Sequence, residues 1–175
     1  AMKGHVDLLG PASKVQEELM GIPSFETPDY SELFAEEKEM IGKLKKAFLM
    51  VAGGAVQKYG PDLDGHQQLL MAAADILIEI YMAESTILRT EKLVKSKGHD
   101  AVKEQVAMAE LYLYKAVDII TQKGKESIIS FAEGDEQRMM LMGLRRFTKY
   151  TNMPNIVGLR ETITTKLVAE NNYCF

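Results

Sequence analysis

Apolar residues recur at helical spacing along nearly the whole chain. Phe34, Ile41, Phe48 and Ala55 step in sevens with Leu44 and Val51 between them, which is the stripe of an α-helix and not the alternation of a strand. This first long helix is expected from Asp29 to about Tyr59. Pro28 suits its start, and Asp29 with Glu32 has capping-box spacing. After the turn Tyr59 to Gly65, a second helix is expected from His66 to Lys97, ended by Gly98. Its stripe is Leu69, Ala73, Ile76, Ile80, Ile87 and Val94. Leu70, Leu77, Tyr81 and Leu88 lie beside that stripe, and Asp75, Glu79, Met82, Thr86 and Arg89 lie opposite. A third helix starts near Asp100, a candidate N-cap. It keeps its period through Val102, Val106, Ala109, Leu113, Ala116 and Ile120 to Ile128 and Phe131, with Gly124 as its weak point. Gly134 is expected to turn the corner and Asp135 to cap a fourth helix over Glu136 to Tyr150. Asn152-Met153-Pro154 separates it from a fifth, Asn155 to Glu170. Short turns make such neighbours antiparallel. The expected fold is therefore all-α, an up-and-down bundle of four to five helices over residues 29–175. Residues 1–28 read as a connector: a short helix from Ala12 to Met20, then a linker whose two prolines, Pro23 and Pro28, forbid a continuous helix.

Composition narrows the class. Apolar residues are 46% and charged residues 26% of 175, a globular balance. The net charge of −4 argues against general nucleic-acid binding, which needs basic surface to displace counterions. The longest apolar run, Ala47 to Val56, is shorter than the ~20 residues a membrane span requires. No secretory h-region follows the opening residues, and the lone Cys174 fits a reducing compartment, so a soluble cytoplasmic chain is expected. Lys3 to Pro11 reads like the middle of a protein, a connector with no element before it.

Candidate chemistry is sparse. His5, His66 and His99 fall at turns or helix ends. A bundle di-iron site, a zinc site, the zinc-protease helix and the nucleophile elbow each need residues that the sequence lacks in the right spacing. No catalytic, cofactor-binding or metal-binding residue is therefore assigned. Two features stand out. Projected as a helix, Glu84 falls within the apolar face, over Leu77, Ile80, Ile87 and Leu88. A carboxylate there is costly unless paired. It reads either as a catalytic or ligand-binding acid or as half of a buried ion pair with Arg138 or Arg145, the pair being preferred; that reading predicts a marked loss of stability for Glu84→Ala. The fourth helix, for its part, gathers Arg138, Met142, Arg145, Arg146 and Lys149 on one side. This is either a solvated face or a docking face for an acidic partner, an anionic membrane or a phosphate-bearing ligand.

Three stretches carry a family resemblance: Val51-Ala52-Gly53-Gly54-Ala55-Val56-Gln57-Lys58-Tyr59, Ala83-Glu84-Ser85-Thr86-Ile87-Leu88-Arg89-Thr90-Glu91-Lys92, and Glu133-Gly134-Asp135-Glu136-Gln137-Arg138-Met139-Met140-Leu141. With the opening Met2 to Pro11, they resemble the C-terminal helical extension of long bacterial acyl-CoA dehydrogenases, and more distantly that of the very-long-chain enzyme. The likeness covers essentially the whole chain.

The resemblance implies a parent enzyme that binds FAD and oxidises acyl-CoA to 2-enoyl-CoA in fatty-acid β-oxidation, passing electrons to an electron-transfer flavoprotein. It also implies that flavin site and catalytic glutamate belong to the core, the latter in a Glu-Gly-Thr-Asn stretch that does not occur here. The partners implied are that core and its dimer mate. Membrane contact, linked with the mitochondrial very-long-chain enzyme, fits poorly with an acidic chain whose basic face is small. The alternative is a stand-alone helical interaction module.

Overall fold

The structure is a computed structural model describing residues 7–21 and 30–175. Its described residues form six α-helices: α1 Leu9–Met20, α2 Ala35–Tyr59, α3 Gln67–Lys97, α4 Lys103–Phe131, α5 Gly134–Phe147 and α6 Ile156–Glu170. No strand occurs among them. Two 3-10 turns, Gly60–Gly65 and Asp100–Val102, join α2 to α3 and α3 to α4.

Two apolar clusters stack along the bundle. One joins the first half of α2 (Met40, Ile41, Leu44) to α3 (Ile76, Ile80, Ala83, Ile87) and α4 (Val106, Ala109, Leu113, Ala116, Ile120). The other joins the second half of α2 (Ala47, Met50, Val51, Ala55) to Val15 of α1, Ile128 and Phe131 of α4, and Met140, Leu144 and Phe147 of α5. Every position expected on the third stripe is buried. Helix α1, expected within a connector, packs on α2 and buries Ala12 and Val15 in the common core. Helix α6 lies against α4 without a fully buried residue.

Glycines set the closest crossings. A Cβ on Gly53 would collide with the Ala12 side chain of α1. One on Gly54 would lie 2.8 Å from Met140 Cε and 3.0 Å from Phe131 Cε2. Gly124, the expected weak point of α4, receives Leu144 of α5 (2.9 Å to Cδ1), and Gly143 receives Leu19 and Met50 (2.8 Å each). Such glycines cost helix propensity of roughly 1 kcal/mol each. Close interhelical contact, with its dispersion and burial, offsets that.

Lysine–carboxylate pairs edge the seams. Lys38 meets Glu91 at 2.9 Å and Lys45 meets Glu84 at 2.6 Å, seven residues apart on each helix and in opposite order, as antiparallel α2 and α3 require. Lys123 of α4 meets Asp75 of α3 at 3.1 Å, Lys46 meets Glu18 at 2.7 Å, and Lys166 of α6 reaches the buried Glu104 of α4 at 3.3 Å.

The helix ends depart from expectation. Helix α2 begins at Ala35, because Phe34 adopts a left-handed conformation (φ 60°) that turns its ring into the core, where it is 4% exposed. Asp29 and the expected Pro-rich linker lie outside the described residues, as do His5 and the residues up to Val6. Asp100 opens a 3-10 turn and provides no side-chain cap. Asp135 caps nothing either: α5 already starts at Gly134 (φ 58°), and Gln137 closes the corner by donating to the Ala132 carbonyl at 2.7 Å. The expected start of the last helix at Asn155 agrees, since the Asn155 side chain caps it by accepting from Gly158 N–H at 3.1 Å.

Gly54→Val should destabilise the fold by about 1–3 kcal/mol through overpacking against Met140 and Phe131. Gly42, also inside α2, has open space where a methyl group would sit, with nothing within 4 Å. Gly42→Ala should instead stabilise by roughly 0.5–1 kcal/mol. Urea denaturation of both variants checks the contrast, and equal effects at the two positions would disprove the close-crossing account.

Candidate functional site

Glu84 is not the buried acid expected from its helical projection. Its side chain is 38% exposed and pairs with Lys45 of α2. Arg138 instead pairs with Asp135 of its own helix at 3.1 Å. The reason is geometric. Helix α3 carries two apolar stripes, an inner one of Ile76, Ile80, Ala83 and Ile87 and an outer one that includes Leu77 and Leu88. Glu84 sits on the boundary between them, so a projection that merges the stripes places it in the middle of one broad apolar face.

Residues Arg138, Met142, Arg145, Arg146 and Lys149 all lie on the solvent side of α5 or just past its end. Met142 is 69% exposed. The opposite side of α5 buries Met140, Leu144 and Phe147. Four cations therefore share one face, with Asp135 offsetting one of them.

The outward face of α3 is the larger feature, and helical projection alone does not reveal it. Met71, Leu77, Ile78, Tyr81, Met82 and Leu88 are all 44% or more exposed. A signal is nonetheless present in the sequence: Leu70, Leu77, Tyr81 and Leu88 fit no single apolar stripe together with Ile76, Ile80 and Ile87. A surface helix normally carries one such stripe.

An acidic cleft of ≈ 180 Å³ lies where the segment after α5 crosses α2 and α4, lined by Glu36, Glu37, Glu110, Leu113, Tyr150, Asn152, Met153 and Pro154. Asn152 binds Glu36 through both its backbone N–H (2.7 Å) and its side-chain amide (2.9 Å). Burial pushes the carboxyls of Glu37 and Glu110 above the usual range, and neighbouring acids (Glu36 for Glu37, Glu37 for Glu110) push the same way. Burial likewise raises the Tyr150 phenol. Its hydroxyl is shut from solvent without a hydrogen-bond partner among the described residues.

These residues do not fit FAD. A pyrophosphate needs backbone N–H groups or cations around it. The acidic cleft would repel it, and the Gly53-Gly54 pair is filled by Ala12, Met140 and Phe131. The cleft between α3 and α4 at Asp75 and Lys123 measures ≈ 280 Å³. Both clefts fall short of the roughly 300–1,000 Å³ of small-molecule sites. Among the described residues no group of three or more His, Cys, Asp or Glu could hold a metal ion, and no helix is long and apolar enough to cross a membrane.

Comparison with known proteins places the bundle. The family profile "Acyl-CoA dehydrogenase, C-terminal domain" matches residues 43–146. The chain is 38% identical over 170 residues to the "Probable acyl-CoA dehydrogenase" of Bacillus subtilis (strain 168), covering 97% of this chain but 28% of that protein. It is also similar to the crystal structure of an acyl-CoA dehydrogenase complexed with FAD from Bacillus anthracis. There the TM-score is 0.87 at 38% identity, covering 99% of this chain and 28% of that one. The chain thus spans little more than a quarter of the length of these relatives.

Because Glu84 and Lys45 are both partly solvated, Glu84→Ala should cost no more than about 1 kcal/mol. A loss of several kcal/mol in thermal or urea unfolding would restore the buried-acid reading. For Glu110 the folded pKa is raised, so folding is penalised at pH above that value and the penalty disappears as pH falls below the unfolded value. Glu110→Gln should therefore raise the melting temperature at pH 7, with the gain shrinking as the pH approaches about 4. Melting curves of variant and parent across this range test the sign.

Proposed function

The chain belongs to the acyl-CoA dehydrogenase C-terminal domain family, and from that membership we propose that it serves as the accessory helical domain of an FAD-dependent acyl-CoA dehydrogenase. The observation that carries this reading is one of coverage. Relatives match nearly all of this chain, yet it accounts for 28% of each. The Bacillus anthracis relative binds FAD, and this bundle has no cradle for that cofactor among its described residues. We assign FAD and the reacting acyl-CoA to the remainder of the parent enzyme, with this domain bracing that core and its dimer mate.

The parent reaction in this reading is oxidation of an acyl-CoA to a 2-enoyl-CoA in cytoplasmic fatty-acid metabolism, with an electron-transfer flavoprotein as acceptor. Bound FAD supplies the hydride acceptor. The residues of this chain contribute rigidity: small-residue crossings and lysine–carboxylate seams hold the described helices in one arrangement, so that a fixed surface meets the core. In the same reading α1, packed on α2, belongs to the bundle and anchors its start. A stand-alone interaction module is less well supported, since both relatives carry the same bundle joined to a much longer chain.

The test compares the full-length protein with the 175-residue chain. Full-length protein should show a flavin absorbance spectrum and reduce an artificial electron acceptor when given acyl-CoA, while the shorter chain should do neither. A yellow 175-residue chain with acyl-CoA turnover would overturn the accessory role.

A further inference from the structure

We propose that the outward stripe of α3, from Met71 to Leu88, is the surface on which the dehydrogenase core docks. This rests on the reading of the chain as the helical domain of such an enzyme, and adds where the two parts meet.

Helix α3 is apolar on both sides. Ile76, Ile80, Ala83 and Ile87 are 2% exposed or less, whereas Met71 is 65%, Ile78 57% and Tyr81 67% exposed. The outer residues extend over about 25 Å of helix at 1.5 Å per residue. Six side chains of this size present on the order of 600 Å² of surface, at the upper end of what a free monomer exposes in one patch. That area approaches the ~800 Å² per partner of a standard interface.

Its charge pattern marks a permanent interface. The acids beside the stripe are drawn into seams with neighbouring helices: Asp75 to Lys123, Glu79 to the Tyr112 hydroxyl at 2.9 Å, and Glu84 to Lys45. What remains facing outward between Met71 and Leu88 is apolar, apart from the small Ser85, the half-buried Thr86 and the phenol of Tyr81, and the exposed Arg89 closes its C-terminal end. Charge depletion at the centre, with an aromatic anchor, characterises the cores of lasting interfaces.

The occupant follows from chain length. In relatives matching this domain end to end, nearly three-quarters of the polypeptide lies outside the match. A core tethered to the bundle is present at an effective concentration near millimolar. It reaches the stripe before a second, untethered copy does.

The experiment measures maleimide labelling at Ile78→Cys and, separately, Tyr81→Cys. Each is made with Cys174→Ser in both the full-length protein and the 175-residue chain, with modification at the engineered position read by peptide mass spectrometry. Circular dichroism confirms that each variant keeps its helices; with two positions, one misfolded variant leaves the other to decide. Labelling should be fast in the short chain and at least ~10-fold slower in the full-length protein, as a docked state favoured ten to one requires. Equal rates in the two proteins would overturn the proposal while flavin content and turnover, measured on the same samples, judge the accessory-domain reading separately. Slow labelling in the short chain that accelerates on dilution would also overturn it, by showing that a second copy covers the stripe.

Discussion

Helices α1, α2, α4 and α5 share one core because they meet at residues with almost no side chain. Gly53 admits Ala12, Gly54 admits Met140 and Phe131, Gly124 admits Leu144, and Gly143 admits Leu19 and Met50. Interhelical distances fall within about 8–10 Å depending on the side chains at the contact. Larger residues at these four positions would push the helices apart and open voids around Met50, Ile128 and Phe147, which are buried to 2% exposure or less. Glycine is a poor helix former in isolation, so these positions make local sense only through the tertiary contacts they permit.

Charges then decide which faces of the tight bundle stay closed. Lysines on α2 and α4 draw acids of α3 toward the seams, and Lys166 supplies the partner for the buried Glu104. Exposed pairs of this kind are individually weak. Their larger effect is on register, since Lys38–Glu91 and Lys45–Glu84 are both satisfied by one antiparallel alignment of α2 and α3. Having its acids engaged sideways, α3 turns an almost uncharged stripe outward. The proposed bracing role calls for that combination: an interior that does not yield and an outer surface suited to a lasting neighbour.

Legibility in the sequence follows physical locality. The stripe of α4 is readable because every one of its apolar positions packs inward, so helical period and burial coincide. The end of α3 at Gly98 and the start of α6 at Asn155 are readable because each depends on residues within four positions. Phe34 reads in sequence as the first member of a helical stripe. It does enter the core, but through a left-handed backbone that periodicity does not register. Asp100 and Asp135 have the composition of caps without their geometry, since 3-10 and glycine-led starts satisfy those helix ends differently.

By itself the sequence determined the all-helical class, the positions of the helices to within a few residues except at the start of α2, and the family, because these depend on local period and on extended runs of matching residues. Only the tertiary structure decided that α1 belongs to the core, that Glu84 pairs with Lys45 and not with an arginine of α5, and that α3 has a second apolar face directed outward. Each of these depends on which helix lies next to which. One-dimensional periodicity shows that a helix side is apolar; it takes the neighbours to show whether that side is covered.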